Sequence, residues 1–146
     1  MRVIITGGSG LIGRALAASL AGDGHEVIIL SRSPQQIAGL PRGARAEKWD
    51  GRTAEGWQAL AEGAAAIVNL AGANIGAGRW TDKRKQLLLS SRLQAGQAVV
   101  QAVKAAIHGP QVVIQASGVG FYGPHSDEKL TEETPPGRDF LAQLAA

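Results

Sequence analysis

Two overlapping glycine patterns, Gly7-x-x-Gly10-x-x-Gly13 and Gly8-x-Gly10-x-x-Gly13, lie in the stretch Thr6-Gly7-Gly8-Ser9-Gly10-Leu11-Ile12-Gly13, directly after the β-branched run that begins at Arg2. Between a strand and a helix, this spacing suits the binding of a dinucleotide pyrophosphate. The first glycines permit the positive φ of a tight turn, Gly10 lets backbone amides approach the phosphates, and Gly13 lets the helix pack closely on the strand. The helix start then offers unpaired N–H groups and a partial positive charge. All eight residues from Thr6 to Gly13, including Ser9, Leu11 and Ile12, are therefore expected to contact the dinucleotide.

A site that prefers NAD places Asp or Glu at the end of the second strand to hold the ribose hydroxyls. Here the sequence reads Leu30-Ser31-Arg32-Ser33, which offers no carboxylate. Arg32 suits a 2′-phosphate through a charge-assisted fork, and Ser31 or Ser33 can add a hydroxyl, so NADP(H) is expected over NAD(H). A second group of cations runs from Arg79 to Lys85. Lys83, Arg84 and Lys85 fall at a predicted helix start, where the macrodipole disfavours each positive charge by roughly 0.3 to 1 kcal/mol. Either they meet an anion, with Arg79 and Lys83 the candidates for a substrate or cofactor phosphate, or they are solvated and screened.

Alternating elements must position these groups. Arg2 to Thr6 reads as a buried strand, Leu11 to Ala21 as a helix stopped by Gly22-Asp23-Gly24, and Glu26 to Leu30 as a second strand. Ser33 to Gly43, with two prolines and two glycines, reads as loop with a short helical turn. Ala44 to Trp49 is a third strand, Thr53 to Glu62 a helix with Thr53 as N-cap, and Ala65 to Leu70 a fourth, largely apolar strand. A long helical pattern covers Thr81 to Ile107, a fifth strand Gln111 to Ala116, and a loop Gly118 to Gly137, before a helix that begins near Asp139. Strands alternating with helices imply an α/β fold: a doubly wound parallel sheet of the Rossmann type, in the order 3-2-1-4-5.

The composition narrows the partners. The 146 residues suit one domain, 45% of them are hydrophobic and 18% charged, and aromatics make up only 4%, so the core must come from aliphatic residues and alanine. A net charge of +3 without a basic face interleaved with aromatics argues against nucleic acid as a partner. There is no cysteine, and His25, His108 and His125 lack ligand spacing, so no metal is expected. No apolar run approaches a membrane span and no signal core follows the start, so a cytoplasmic location without membrane contact is expected. The long helix could serve as an oligomer interface, although burial against its own sheet explains its leucines equally well.

With Trp49-Asp50, Asn69-Leu70-Ala71-Gly72, Gly78-Arg79-Trp80-Thr81-Asp82-Lys83-Arg84-Lys85, Ser91-Arg92 and Ser117-Gly118-Val119-Gly120-Phe121-Tyr122-Gly123 added to the glycine turn, the chain resembles the extended short-chain dehydrogenase/reductase superfamily. More narrowly it is similar to atypical, sugar-nucleotide epimerase-like members. Such proteins run to roughly double this length, so the resemblance implies an N-terminal nucleotide-binding half over residues 1–146, ending before the last strands and the substrate portion. It places Asp50 near the adenine and Asn69, Leu70, Ala71 and Gly72 beneath the cofactor, although Asn69 would equally suit bonding to local backbone. For Trp49 it leaves core packing as the simpler role.

The superfamily usually donates a proton from a tyrosine whose pKa is lowered by a lysine four residues on, aided by a serine after the fifth strand. Here Phe140 and Leu144 align with the tyrosine and the lysine, and neither transfers a proton. Ser117 matches the serine, and the single tyrosine, Tyr122, could act as an acid, contact the ligand or simply pack. Glu132 and Glu133 are conceivable acids that also suit a solvated face. The resemblance thus implies an NADP(H)-dependent oxidoreductase or epimerase acting on a carbonyl or nucleotide-linked substrate. The missing Tyr-x-x-x-Lys leaves open a non-catalytic nucleotide-binding or redox-sensing protein.

Overall fold

A computed structural model describes all residues from Met1 to Ala146. It divides into two compact units, Met1–Gln115 and Ala116–Ala146.

In the first unit, strands β1 (Arg2–Thr6), β2 (Glu26–Ser31), β3 (Ala44–Lys48), β4 (Ala66–Asn69) and β5 (Val112–Gln115) form one sheet in the order β3-β2-β1-β4-β5. All four pairings are parallel, with Thr6 opposite Leu30 on one side and Asn69 on the other, and Asn69 opposite Gln115. The expected topology is therefore the one observed.

Side-chain alternation divides the sheet into two apolar faces. Ile4, Ile28, Leu30 and Ile67 point to one face, where they pack with Ala95, Ala98, Val99 and Ala102 of helix α2 (Asp82–Ala105). Val3, Ile5, Val27, Ile29 and Val68 point to the other, where Ala17 of helix α1 (Leu11–Gly22) is buried among them. Alanines at the contact positions let each helix backbone come close to the sheet, which fits a core with few aromatics. Helix α2 starts where the sequence indicates: the Thr81 side chain caps it by accepting the Arg84 amide at 3.2 Å.

The segment after β3 departs from the expectation. No helix spans Thr53 to Glu62, and a 3-10 turn covers only Gln58–Ala61. The reason is tertiary. Trp49 and Trp57 pack edge to face, ring centroids 6.2 Å apart, and both indole N–H groups donate to the Thr53 carbonyl, at 2.7 and 2.9 Å. That carbonyl is not free to start a helical ladder, and Gly56 at φ +81° interrupts the helical backbone. Nor does Thr53 cap a helix: its amide and hydroxyl donate to the Asp50 carboxylate, both at 2.9 Å. Trp49 itself is buried in the core, as the simpler of its sequence readings has it.

In the second unit, a 3-10 turn over Val119–Tyr122 lies within the segment expected to be loop, and helix α3 (Phe140–Ala145) begins on an Asp139 cap that accepts the Ala142 amide at 2.8 Å. The Gly137 amide donates to the Phe121 carbonyl at 2.8 Å. No helix of the protein is long and apolar enough to cross a membrane.

Candidate functional site

The glycine turn joins β1 to α1 at the carboxyl end of the sheet, where open α/β sheets bind ligands. Gly7 has φ +67°, and a methyl group on it would come within 2.7 Å of the Leu70 carbonyl oxygen. Gly8 has no positive φ, contrary to the expectation for the first glycines as a group. Its need is space, because a Cβ there would meet the Ile29 side chain at 2.7 Å. Gly13 is pressed against the turn itself, with the Gly7 carbonyl oxygen 2.5 Å from where its Cβ would be. Gly10 is less confined and serves as the N-cap of α1, with no side-chain capping bond and no acidic residue in the first helical turn. The first amides of α1 therefore face outward unopposed by any carboxylate. Leu11 and Ile12 beside them are 91% and 69% exposed, and Ser9 is also exposed. Arg14 braces the turn, donating to the Ser9 carbonyl at 2.9 Å and the Ala38 carbonyl at 3.1 Å.

A polar row crosses the strand ends. Thr6 and Asn69, both fully buried, are joined by a bond from the Thr6 hydroxyl to Asn69 Oδ1. Asn69 Nδ2 donates to Gln115 Oε1 at 2.6 Å, and the Ala71 amide donates to Thr6 Oγ1 at 3.2 Å and Asn69 Oδ1 at 3.3 Å. Parallel register places these side chains side by side. Asn69 thus bonds local backbone and neighbouring strand ends, and this fixes the Leu70-Ala71 turn whose carbonyl confines Gly7. Thr6 and Gln115 are the members of the row that sequence reasoning did not place there; their signal was the equal offset of a polar residue at the end of each strand.

At the end of β2, Arg32 is exposed, with its aliphatic stem 3.6 Å from where a Cβ on Gly51 would be. Ser31 Oγ accepts the Ser33 amide at 3.1 Å. Asp50 is occupied structurally: it accepts the Arg52 amide at 2.7 Å as well as both Thr53 donors. Burial raises the pKa of its carboxyl, but these donors together outweigh that and hold it below the ordinary aspartate value.

Gly72 lies under the guanidinium of Arg92, whose Cζ is 3.0 Å from where a Cβ would stand. Arg79 and Lys83 are exposed and make no ion pair. In the second unit, the Ser117 hydroxyl donates to the Ala145 carbonyl at 2.9 Å. Tyr122 meets Phe121 edge on, 5.2 Å between ring centroids, and its carbonyl accepts from the His125 ring at 2.9 Å. The His125–Glu128 hydrogen bond raises the pKa of that imidazole. Glu132 and Glu133 are exposed. No three His, Asp or Glu side chains gather closely enough to hold a metal ion.

The sequence pattern of the NAD dependent epimerase/dehydratase family matches residues 3–142. The chain belongs to that family. Epimerase family protein YfhF of Bacillus subtilis is 37% identical over 155 aligned residues, which take in 99% of this chain and 47% of YfhF. The human epimerase family protein SDR39U1 is 34% identical, over 99% of this chain and 46% of that protein. The chain therefore spans about half the length of these relatives. Among solved structures, human SDR39U1 (isoform 2) with NADPH superposes with a TM-score of 0.76 at 32% identity, covering 99% of this chain and 46% of that one. A nucleoside-diphosphate sugar epimerase from Corynebacterium glutamicum gives 0.73 at 37% identity, over 99% and 28% of the two chains. UDP-glucose 4-epimerase from Thermus thermophilus, in complex with NAD, gives 0.79 at 24% identity and shares the fold of this epimerase-family chain.

Proposed function

We propose that this chain is the nucleotide-binding half of a longer, cytoplasmic NADP(H)-dependent epimerase or oxidoreductase. The observation that carries the reading is the glycine turn, packed so closely that Gly7, Gly8 and Gly13 have no room for a Cβ, in front of a helix start with no capping side chain. Backbone amides there suit a pyrophosphate, and the exposed Leu11 and Ile12 side chains suit the apolar faces of a dinucleotide. Asn69 to Gly72 would pass beneath it, and Asp50 would stand near the adenine.

Arg32, with Ser31 and Ser33, would hold the 2′-phosphate. NADPH in the human SDR39U1 structure supports that preference, whereas NAD in the Thermus thermophilus epimerase marks the alternative within the same fold. The test is Arg32→Ala: NADPH affinity is expected to fall by about tenfold or more, the loss of one charge-assisted contact, while NADH affinity stays within about twofold. An equal loss for both cofactors would contradict the assignment.

Bound NADPH would supply a hydride to a carbonyl carbon. This chain's own contribution would be the Ser117 hydroxyl as hydrogen-bond donor to the carbonyl oxygen and the Tyr122 hydroxyl as proton donor, with Arg79 and Lys83 near a substrate phosphate. A second reading, a nucleotide-binding or redox-sensing protein without turnover, is favoured by Phe140 and Leu144 at the usual acid–base positions and by the Ser117 hydroxyl being engaged by Ala145. Hydride transfer with a panel of aldehydes and ketones separates the readings. Turnover that falls in Tyr122→Phe supports catalysis, and stoichiometric, unreactive NADPH supports the second reading.

A further inference from the structure

Of the seven charged residues between Gly72 and Ala105, six are cations. Two of the six converge on one turn. Arg84 Nη2 donates to the Asn74 carbonyl, and Arg92 Nη1 donates to the Ala73 carbonyl at 3.2 Å and to the Leu88 carbonyl at 3.1 Å. Side chains from opposite ends of two helical turns of α2 thus bring guanidinium groups to consecutive carbonyls, and neither has a carboxylate partner. The turn is otherwise firmly held: Ser91 Oγ accepts the Ala73 amide at 3.0 Å, Asn74 Oδ1 accepts the Gly76 amide at 2.8 Å, and the Trp80 indole donates to the Ile75 carbonyl at 3.0 Å.

Clamping a turn needs only neutral donors, so two guanidinium groups at adjacent carbonyls also concentrate positive charge there beyond what the clamp requires. Arg84 Nε is moreover buried without a hydrogen-bond partner, and such an orphan donor costs free energy unless something supplies an acceptor. Burial also depresses the Arg92 pKa from its ordinary value, a penalty on the charged form that a nearby anion would relieve. Arg92 lies against Gly72, three residues beyond the Asn69 end of β4, so the pair stands at the ligand-binding edge of the sheet.

We propose that Arg84 and Arg92 form an anion subsite beside the Gly72–Trp80 loop, taking a phosphate-type group of a bound ligand. The subsite is separate from the 2′-phosphate contact assigned to Arg32. Its phosphate would belong either to the cofactor diphosphate or to a substrate.

Calorimetric titration of the full chain with inorganic pyrophosphate tests this, first without cofactor and then at saturating NADPH. Saturable binding is expected without cofactor, weakened about tenfold or more in Arg84→Gln and in Arg92→Gln, and unchanged in Arg42→Gln, an exposed arginine remote in sequence. Arg84→Gln removes no bond from the buried part of α2, so it reads the subsite even where Arg92→Gln perturbs folding. Loss of pyrophosphate binding at saturating NADPH assigns the phosphate to the cofactor, and persistence assigns it to a substrate; both support the subsite. No saturable binding, or binding equally tight in both variants, overturns it. The latter result would place the anion at the glycine turn. Because the first arm contains no cofactor, a failure of NADPH to bind would count against the proposed function alone.

Discussion

Gly7 and Gly10 occupy one turn but bear different constraints, and the difference can be measured. Gly7→Ala forces an L side chain into positive φ and drives its Cβ to 2.7 Å from the Leu70 carbonyl oxygen. A loss of about 1 to 3 kcal/mol is expected, with loss of dinucleotide binding. At Gly10 the nearest atom to an added Cβ is the Gly7 carbonyl oxygen at 3.3 Å and φ is −79°, so Gly10→Ala is expected to fold with a smaller loss in thermal melts and to weaken cofactor affinity selectively. Asn69→Ala is expected to cost about 1 to 3 kcal/mol, since it strands the buried Thr6 hydroxyl. The glycine spacing was legible because it acts through local backbone. The convergence of Arg84 and Arg92 was not, because it depends on which loop carbonyls two side chains eight positions apart on α2 reach, and no local pattern states that.

At the scale of elements, the region from Trp49 to Ala61 shows how a tertiary bond overrides a helical pattern. Its apolar spacing fits a helix as well as it fits the observed turn. What decides is the Thr53 carbonyl, shared by two indole N–H groups, and this requires Trp49 and Trp57 to have met already. Trp57→Ala is expected to destabilise the protein by about 3 to 5 kcal/mol in denaturant unfolding, the usual cost of emptying a large buried site. Trp57→Phe keeps most of the ring and loses one bond, so about 1 kcal/mol is expected from that bond in addition to the smaller ring. By contrast, the strands and both long helices lie where their sequence patterns put them, although burial follows the apolar pattern only in part: β5 is exposed along its length, and Leu87, Leu93 and Val100 of α2 are exposed rather than packed on the sheet.

For the whole molecule, the Glu26 ion pairs and the proposed ligand-binding groups sit at opposite ends of the sheet. At the amino ends of the strands, Glu26 bridges Arg2 on β1 and Arg45 on β3, and Arg45 also reaches Glu47. The hydrogen bond from Arg45, followed by that from Arg2, holds the Glu26 pKa below its ordinary value despite an opposing burial effect. A depressed carboxyl binds its proton less readily folded than unfolded, so its stabilisation is present above the unfolded pKa and fades as the pH falls through the folded one. Glu26→Gln is therefore expected to lower stability slightly at and above about pH 5, by an amount kept small by the partial exposure of these groups, and to converge with the parent protein as the pH falls through the folded pKa, which flattens the acid limb of its stability curve. The carboxyl ends carry the glycine turn, the Thr6-Asn69-Gln115 row and the proposed anion subsite. That division was legible in outline from the strand order, whereas the roles of Ser117 and Tyr122 rested on resemblance alone.

The central claim is that the glycine turn and Arg32 together make an NADP(H) site. Calorimetric titration of the purified chain with NADPH and NADH in the same buffer tests it most directly. Saturable binding of NADPH is expected at least about tenfold tighter than that of NADH, the worth of one charge-assisted 2′-phosphate contact. Tighter binding of NADH, or no saturable binding of either, would contradict it.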